Sequence, residues 1–141
     1  MKKILIFFIT FWLPSAVVLI MSLGSSSSVV DNQDIPVLSF STIFFKNLLV
    51  LTLLIVGGFI HKKITYFIFY YNAIYFSIVL VISHDVMNSL YQVGKYGIIE
   101  IFAFSLGCSI GIDKKYKLIW IPVVLLIISG IIEHFVIKGA L

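Results

Sequence analysis

Five long apolar runs, at residues 4–23, 43–60, 64–82, 97–112 and 118–137, divide this chain. Each approaches the roughly 20 residues that an α-helix needs to cross the hydrocarbon core of a bilayer. A backbone in lipid must satisfy its own hydrogen bonds, which restricts the choice to helices or a closed barrel. Barrel strands alternate apolar and polar residues, whereas these runs are continuous. The expected fold is all-α, a polytopic transmembrane helix bundle with five spans. Composition agrees: 61% of the 141 residues are hydrophobic and 11% are charged, against about one quarter charged in a soluble domain. So few polar residues lie between the runs that residues 1–141 read as a single integral membrane domain.

Every cation is a lysine, and positive residues are retained on the cytoplasmic side. With the N terminus inside, Lys2, Lys3, Lys62, Lys63, Lys114, Lys115 and Lys117 fall inside, and only Lys46, Lys95 and Lys138 fall towards the other side. The expected topology is therefore N-in/C-out. A re-entrant fourth segment would move the cluster Asp113 to Lys117 outside, so that run reads as a true span. The net charge of +4 is then a membrane-anchoring charge, and no nucleic-acid partner is expected. The first run exceeds the 7–15 residue core of a secretory signal and reads as a retained anchor, cleavage near Ser22 or Gly24 being the alternative. Pro14 lies within it, where the missing amide invites a kink. Residues 24–42 form an external loop that opens on the polar stretch GSSSSVVDNQD. Lysine-only cations with abundant Ile, Phe and Tyr suit an AT-rich genome, and the expected setting is the cell membrane of a low-GC bacterium.

The sequence offers little chemistry. Cys108 is the only cysteine and reads as a small packing residue. His61, His84 and His134 have no metal-ligand spacing, and Ser83, His84 and Asp85 are chain neighbours that point apart, unlike a catalytic triad. No HExxH, GxSxG or phosphate-binding glycine loop occurs. An enzyme is not expected, nor any cofactor or metal.

Polar and small residues inside the spans are costly and are the places to look for function. Glu100 stands at helical spacing from Ala103 or Phe104, Gly107 and Gly111. That small-residue face lets another helix come close and points the carboxylate into the bundle. The second and fourth helices run in the same direction, with Lys46 and Asn47 about one turn into one and Glu100 about one turn into the other. Asn47 is expected to donate to Glu100, or Lys46 to pair with it, and Tyr96 is a further donor. The preferred reading is a packing lock; the alternative is a protonatable or ligand-contacting site. Asn72 sits at mid-depth of the third helix among Tyr66, Tyr70, Tyr71 and Tyr75 and needs a partner inside the bundle. Gly57 and Gly58 allow the second and third helices to pack as a close hairpin, and Trp120 fits an interfacial aromatic belt.

These residues together carry a family resemblance. Phe44, Phe45, Lys46 and Asn47, then Gly57 and Gly58, then Asn72 with Ala73, then Tyr96, Gly97 and Glu100 ahead of Gly107 and Gly111 form a pattern that resembles the stage II sporulation protein M family. In that family a second-helix Asn, a glycine-bearing hairpin, an Asn-Gly and a His-Gly-x-x-Glu recur in this order. The resemblance covers about Ser39 to Ile137. Tyr96 stands where the family usually has His and Ala73 where it usually has Gly, so Glu100 is the residue carried over.

The resemblance implies a non-enzymatic, multi-spanning subunit of a membrane assembly. Sporulation members act in engulfment beside cell-wall hydrolases, and similar small proteins accompany circular bacteriocin genes, where they are linked to peptide export and immunity. This chain has little external domain to hold a wall enzyme, which favours export of, or self-protection against, an antimicrobial peptide. The alternatives are the sporulation role and a small transport protein with an intramembrane Glu site. Expected partners are the lipid bilayer, other membrane proteins such as transporter subunits, and a hydrophobic peptide. The chain has no ATP-binding motif, so export would need a separate ATPase.

Overall fold

The computed structural model describes residues 2–23, 40–82 and 97–137. Among them the regular elements are all helical: α1 (Lys2–Leu23), α2 (Phe40–Ile60), α3 (Lys62–Ile82), α4 (Ile98–Asp113) and α5 (Trp120–Ile137), with a 3-10 turn at Tyr116–Leu118. Two stretches, Lys62–Leu80 and Tyr116–Phe135, are long and apolar enough to cross a bilayer, and Phe44–Ile60 is a shorter apolar helix. The external loop expected at 24–42 lies mostly outside the described residues, as do Lys95, Tyr96, Lys138 and the Ser83–His84–Asp85 triplet.

Local chemistry sets the helix ends. His61 alone separates α2 from α3: its amide bonds the Gly57 carbonyl at 2.8 Å, its carbonyl takes the Ile64 amide at 2.9 Å, and its Nδ1 accepts from the Lys63 amide at 3.2 Å. One residue thus occupies donors and acceptors that helix ends leave free. Lys114 closes α4 with φ 54°, a left-handed cap in which its amide and that of Lys115 return to Gly111 and Ile110. A residue with a Cβ accepts that conformation at a cost of about 1 kcal/mol. The fifth helix starts at Trp120, not at 118, because Tyr116–Leu118 is spent on the 3-10 turn. Pro122 then falls in the first turn of α5, where its missing amide has no intrahelical partner to lose. Helix α1 continues through Pro14.

Helix α4 is the axis of the bundle. It packs on α1, α2, α3 and α5, most extensively on α2; around it α1 lies on α3, α3 on α2 and α2 on α5. Two kinds of seam hold these contacts. Between α1 and α3 the seam is aromatic: Phe69 takes the edges of Phe7 and Phe11, and Phe76 meets Phe11 and Trp12. Ser15 and Ser77 close that seam with a buried hydroxyl pair at 2.9 Å.

Between α2 and α4 the seam is backbone against backbone. A Cβ on Gly58 would lie 2.6 Å from the Gly111 Cα, and a Cβ on Gly111 would lie 2.8 Å from the Leu54 carbonyl oxygen. A Cβ on Gly107 would collide with Leu51. The sequence places Gly57 and Gly58 together in the α2–α3 hairpin, but only Gly57 faces α3, against Ile64, Thr65 and Ile68. Successive residues on a helix point about 100° apart, so Gly58 is turned onto α4. The α2–α3 hairpin is tied instead by Thr65, whose hydroxyl donates to the Leu54 carbonyl at 2.9 Å.

Candidate functional site

Asn47 and Glu100 lie towards the end of the bundle opposite the lysine-rich turns. Asn47 Nδ2 donates to Glu100 Oε1 at 2.8 Å, joining α2 to α4 across their glycine seam. Because α2 begins at Phe40, Asn47 is about two turns into it, deeper than the one turn expected. Lys46 is exposed and forms no ion pair with Glu100. Chain neighbours on a helix diverge, so when Asn47 faces α4 the lysine beside it cannot.

Two further residues, both on α5, join this site. The Ser129 hydroxyl bonds the Glu100 carboxyl, and the Glu133 carboxyl acts on Glu100 electrostatically. Glu133 is 4% exposed, and its Oε2 is buried with no hydrogen-bond partner among the described residues. Ser129 and Glu133 are one turn apart on the same face of α5. Sequence reasoning missed both, although a usable signal was present. Glu100 and Glu133 stand equally far from the turn between Asp113 and Trp120, roughly 20 Å along each helix at about 1.5 Å per residue. An antiparallel pair joined by a short turn brings them to one level.

Other sequence-predicted positions lie elsewhere. Asn72 is half-buried and donates to the Ile68 carbonyl at 2.7 Å, so its partner is its own helix one turn back and not a neighbouring helix. Gly107 and Gly111 belong to the α2–α4 seam, and Gly97 is buried just before α4. Tyr96 lies outside the described residues. Cys108 is a buried packing residue. Tyr66, Tyr70, Tyr71 and Tyr75 are exposed and form no enclosed cage. Among the described residues no three His, Cys, Asp or Glu side chains converge to hold a metal.

At the opposite end Asp113 binds Lys3 of α1 and lies 3.6 Å from Lys115. The hydrogen bond from Lys3 holds the Asp113 carboxyl below its ordinary range, and the same bond raises Lys3. A cleft of 340 Å³ opens there, lined in part by Lys2, Lys3, Ser109, Asp113 and Lys115.

No family model, curated protein or solved structure matches the chain.

Proposed function

We infer that the chain is a five-span protein of the bacterial cell membrane, N-in/C-out, working as a non-enzymatic subunit of a multiprotein assembly. One observation carries the membrane reading: outward faces of all five helices present large apolar side chains. Leu5 and Ile9 on α1, Phe45 and Leu49 on α2, Phe67 and Ile74 on α3, Phe102 on α4 and Ile127 and Ile131 on α5 are all exposed. In water such surfaces associate; in lipid they need no cover. Lysines at the ends of these faces suit headgroups. Topology is tested by single cysteines in the cysteine-free Cys108→Ala background, at His61 and in the last residues. Labelling of both from the same side would sink the five-span reading.

Within that setting, the favoured role is assistance in export of, or self-protection against, an antimicrobial peptide of circular bacteriocin type. The order of motifs from Phe44 to Gly111 supports it, as does the close α2–α4 seam, a rigid scaffold on which apolar faces can dock a transporter or a peptide. Expression in a sensitive host, alone and with a transporter ATPase, followed by peptide challenge, measures the role. Unchanged survival in both cases counts against it. A second reading, a small transport protein with an intramembrane Glu site, gains from Glu133: a second carboxyl lies within electrostatic reach of Glu100, and intramembrane acids are characteristic of ion and proton paths.

A further inference from the structure

The lysine-rich end of the bundle is open on one side. Helix α1 packs on α3 and α4 but makes no contact with α5 or with the 3-10 turn that precedes it. The 340 Å³ cleft at this end is the space left between α1 and that turn, over α4. Its volume falls within the range of about 300–1,000 Å³ typical of small-molecule sites.

The cleft has two chemically distinct levels. At the rim stand Lys2 and Lys3 of α1 with Asp113 and Lys115. Three ammonium groups thus face one carboxylate. Lys3 is committed to Asp113 and Lys115 approaches the same carboxylate at 3.6 Å, while Lys2 pairs with no acid among the described residues. Both glutamates are near helix ends at the opposite side of the bundle, and Asp31, Asp34 and Asp85 fall in the sequence between helix ends on that opposite side. The carbonyls of Ile110 and Gly111, which end α4, are already taken by the amides of Lys115 and Lys114. The rim therefore keeps an excess of positive charge.

The lower level is apolar, with one polar exception. Leu106 and Ile110 line it, Leu106 lying roughly 10 Å below Asp113 at about 1.5 Å per residue. Ser109, one turn below Asp113, is 8% exposed and also lines the cleft. Ser77 and Ser105 each return their hydroxyl to a carbonyl of their own helix one turn back. Ser109 has no hydrogen bond to any described residue, so its hydroxyl is left for an occupant of the cleft.

We propose that this cleft binds one anionic phospholipid of the cytoplasmic leaflet. Lys2 and Lys115 hold the phosphate at the rim, Ser109 donates to an ester carbonyl one turn deeper, and Leu106 and Ile110 take the first carbons of an acyl chain. The proposal rests on the membrane reading above, and it names one lipid class as a partner. Basic pockets between membrane helices on the cytoplasmic side suit anionic head groups. A free anion would use the rim alone and leave the apolar level wet, which is why the lipid is the occupant that fits both levels. So held, the lipid joins α1 to the α4–α5 turn, which the chain itself leaves untouched.

The full chain in nonionic detergent is titrated with dioleoyl phosphatidylglycerol, and bound lipid is counted by native mass spectrometry. One phosphatidylglycerol per chain is expected at concentrations where dioleoyl phosphatidylcholine and inorganic phosphate do not bind. Equal occupancy by phosphatidylcholine would overturn the proposal, because the charge would not be read. Binding of inorganic phosphate at the same concentration would overturn it in favour of a free anion. Lys2→Gln combined with Lys115→Gln, both at exposed positions, should weaken phosphatidylglycerol binding about five-fold for each lysine. Lys62→Gln combined with Lys63→Gln makes the same charge change at the same end outside the cleft and should leave binding unchanged. Equal weakening by the two pairs would reduce the site to diffuse surface attraction and sink the proposal. Cysteine labelling of the topology makes no use of lipid type, so a chain that spans five times yet shows no lipid preference fails here alone.

Discussion

Gly58 of α2 and Gly111 of α4 meet with no room for a side chain between them: a Cβ on Gly58 would lie 2.6 Å from the Gly111 Cα. The obstacle is backbone, which cannot swing aside. Gly58→Ala should therefore force the two helices apart and destabilise the bundle by about 2 kcal/mol or more, at the upper part of the overpacking range. Gly57→Ala meets only the Ile64 Cγ2 at 3.1 Å, a side-chain atom that can give, and should change stability by less than about 1 kcal/mol. Thermal unfolding of the two variants in the same nanodiscs checks the contrast. Equal losses would mean that the glycines are not divided between two seams.

Asn47 supplies Glu100 with one amide donor at 2.8 Å. Asn47→Ala should cost about 1 kcal/mol, since interhelical polar contacts in membranes range from about 0.6 to 1.7 kcal/mol. Asn47→Asp replaces the donor by an acceptor against a carboxyl and should cost more, with the gap widening as pH rises and the new acid ionises. Unfolding measured at two pH values would show this, and identical losses in both variants would deny the contact any electrostatic part.

Phe69 is 1% exposed and receives ring edges from Phe7 and Phe11. In the membrane setting proposed above, lipid removes most of the hydrophobic drive between helices, but the cavity left by truncation still loses packing. Phe69→Ala is expected to cost about 3 kcal/mol, whereas Tyr71→Ala, at an exposed position on the same helix, should stay within about 0.5 kcal/mol. Stabilities of the two variants in a matched bilayer provide the comparison.

The Lys3–Asp113 pair predicts a pH window. The folded Asp113 carboxyl is depressed, mainly by the hydrogen bond from Lys3. Its contribution is therefore fully present above the ordinary value of 3.8 and is lost as pH falls through the lower folded value. Lys3 is raised, chiefly by the same hydrogen bond. Its contribution is present below the ordinary 10.5 and is lost as pH rises through the higher folded value. Between those limits the pair should add a flat, salt-screened increment. Asp113→Asn should remove the acid-side decline assigned to this pair while leaving stability near neutral pH almost pH-independent. Lys3 is 60% exposed and Asp113 21%, so the increment should shrink in high salt, which a salt series would reveal.

Much of the architecture was legible because lipid-compatible helices announce themselves locally. Five apolar runs gave five helices, the lysines marked one end, and the spacing of Gly107 and Gly111 identified α4 as a helix that another could approach closely. The link from Asn47 to Glu100 was also accessible, since both stood near the start of helices running the same way. Where several partners shared one level, spacing could not choose among them. Lys46 or Asn47 was such a choice, and the rotation of α2 about its own axis decided it.

Asn72 shows a related limit: an amide inside an apolar helix announces a need for a partner, yet the Ile68 carbonyl of its own helix met that need. Gly58 serves α4 and not α3 because two adjacent glycines on one helix cannot face the same neighbour. Glu133 went unread because its importance depends on which face of α5 meets α4. The sequence by itself determined that this chain forms apolar helices with a carboxylate set into one of them, since periodicity and composition act within a segment. Only the tertiary structure decided that α4 is the axis and that Glu133 comes within electrostatic reach of Glu100, because helix rotation and neighbour choice follow from packing the whole bundle at once.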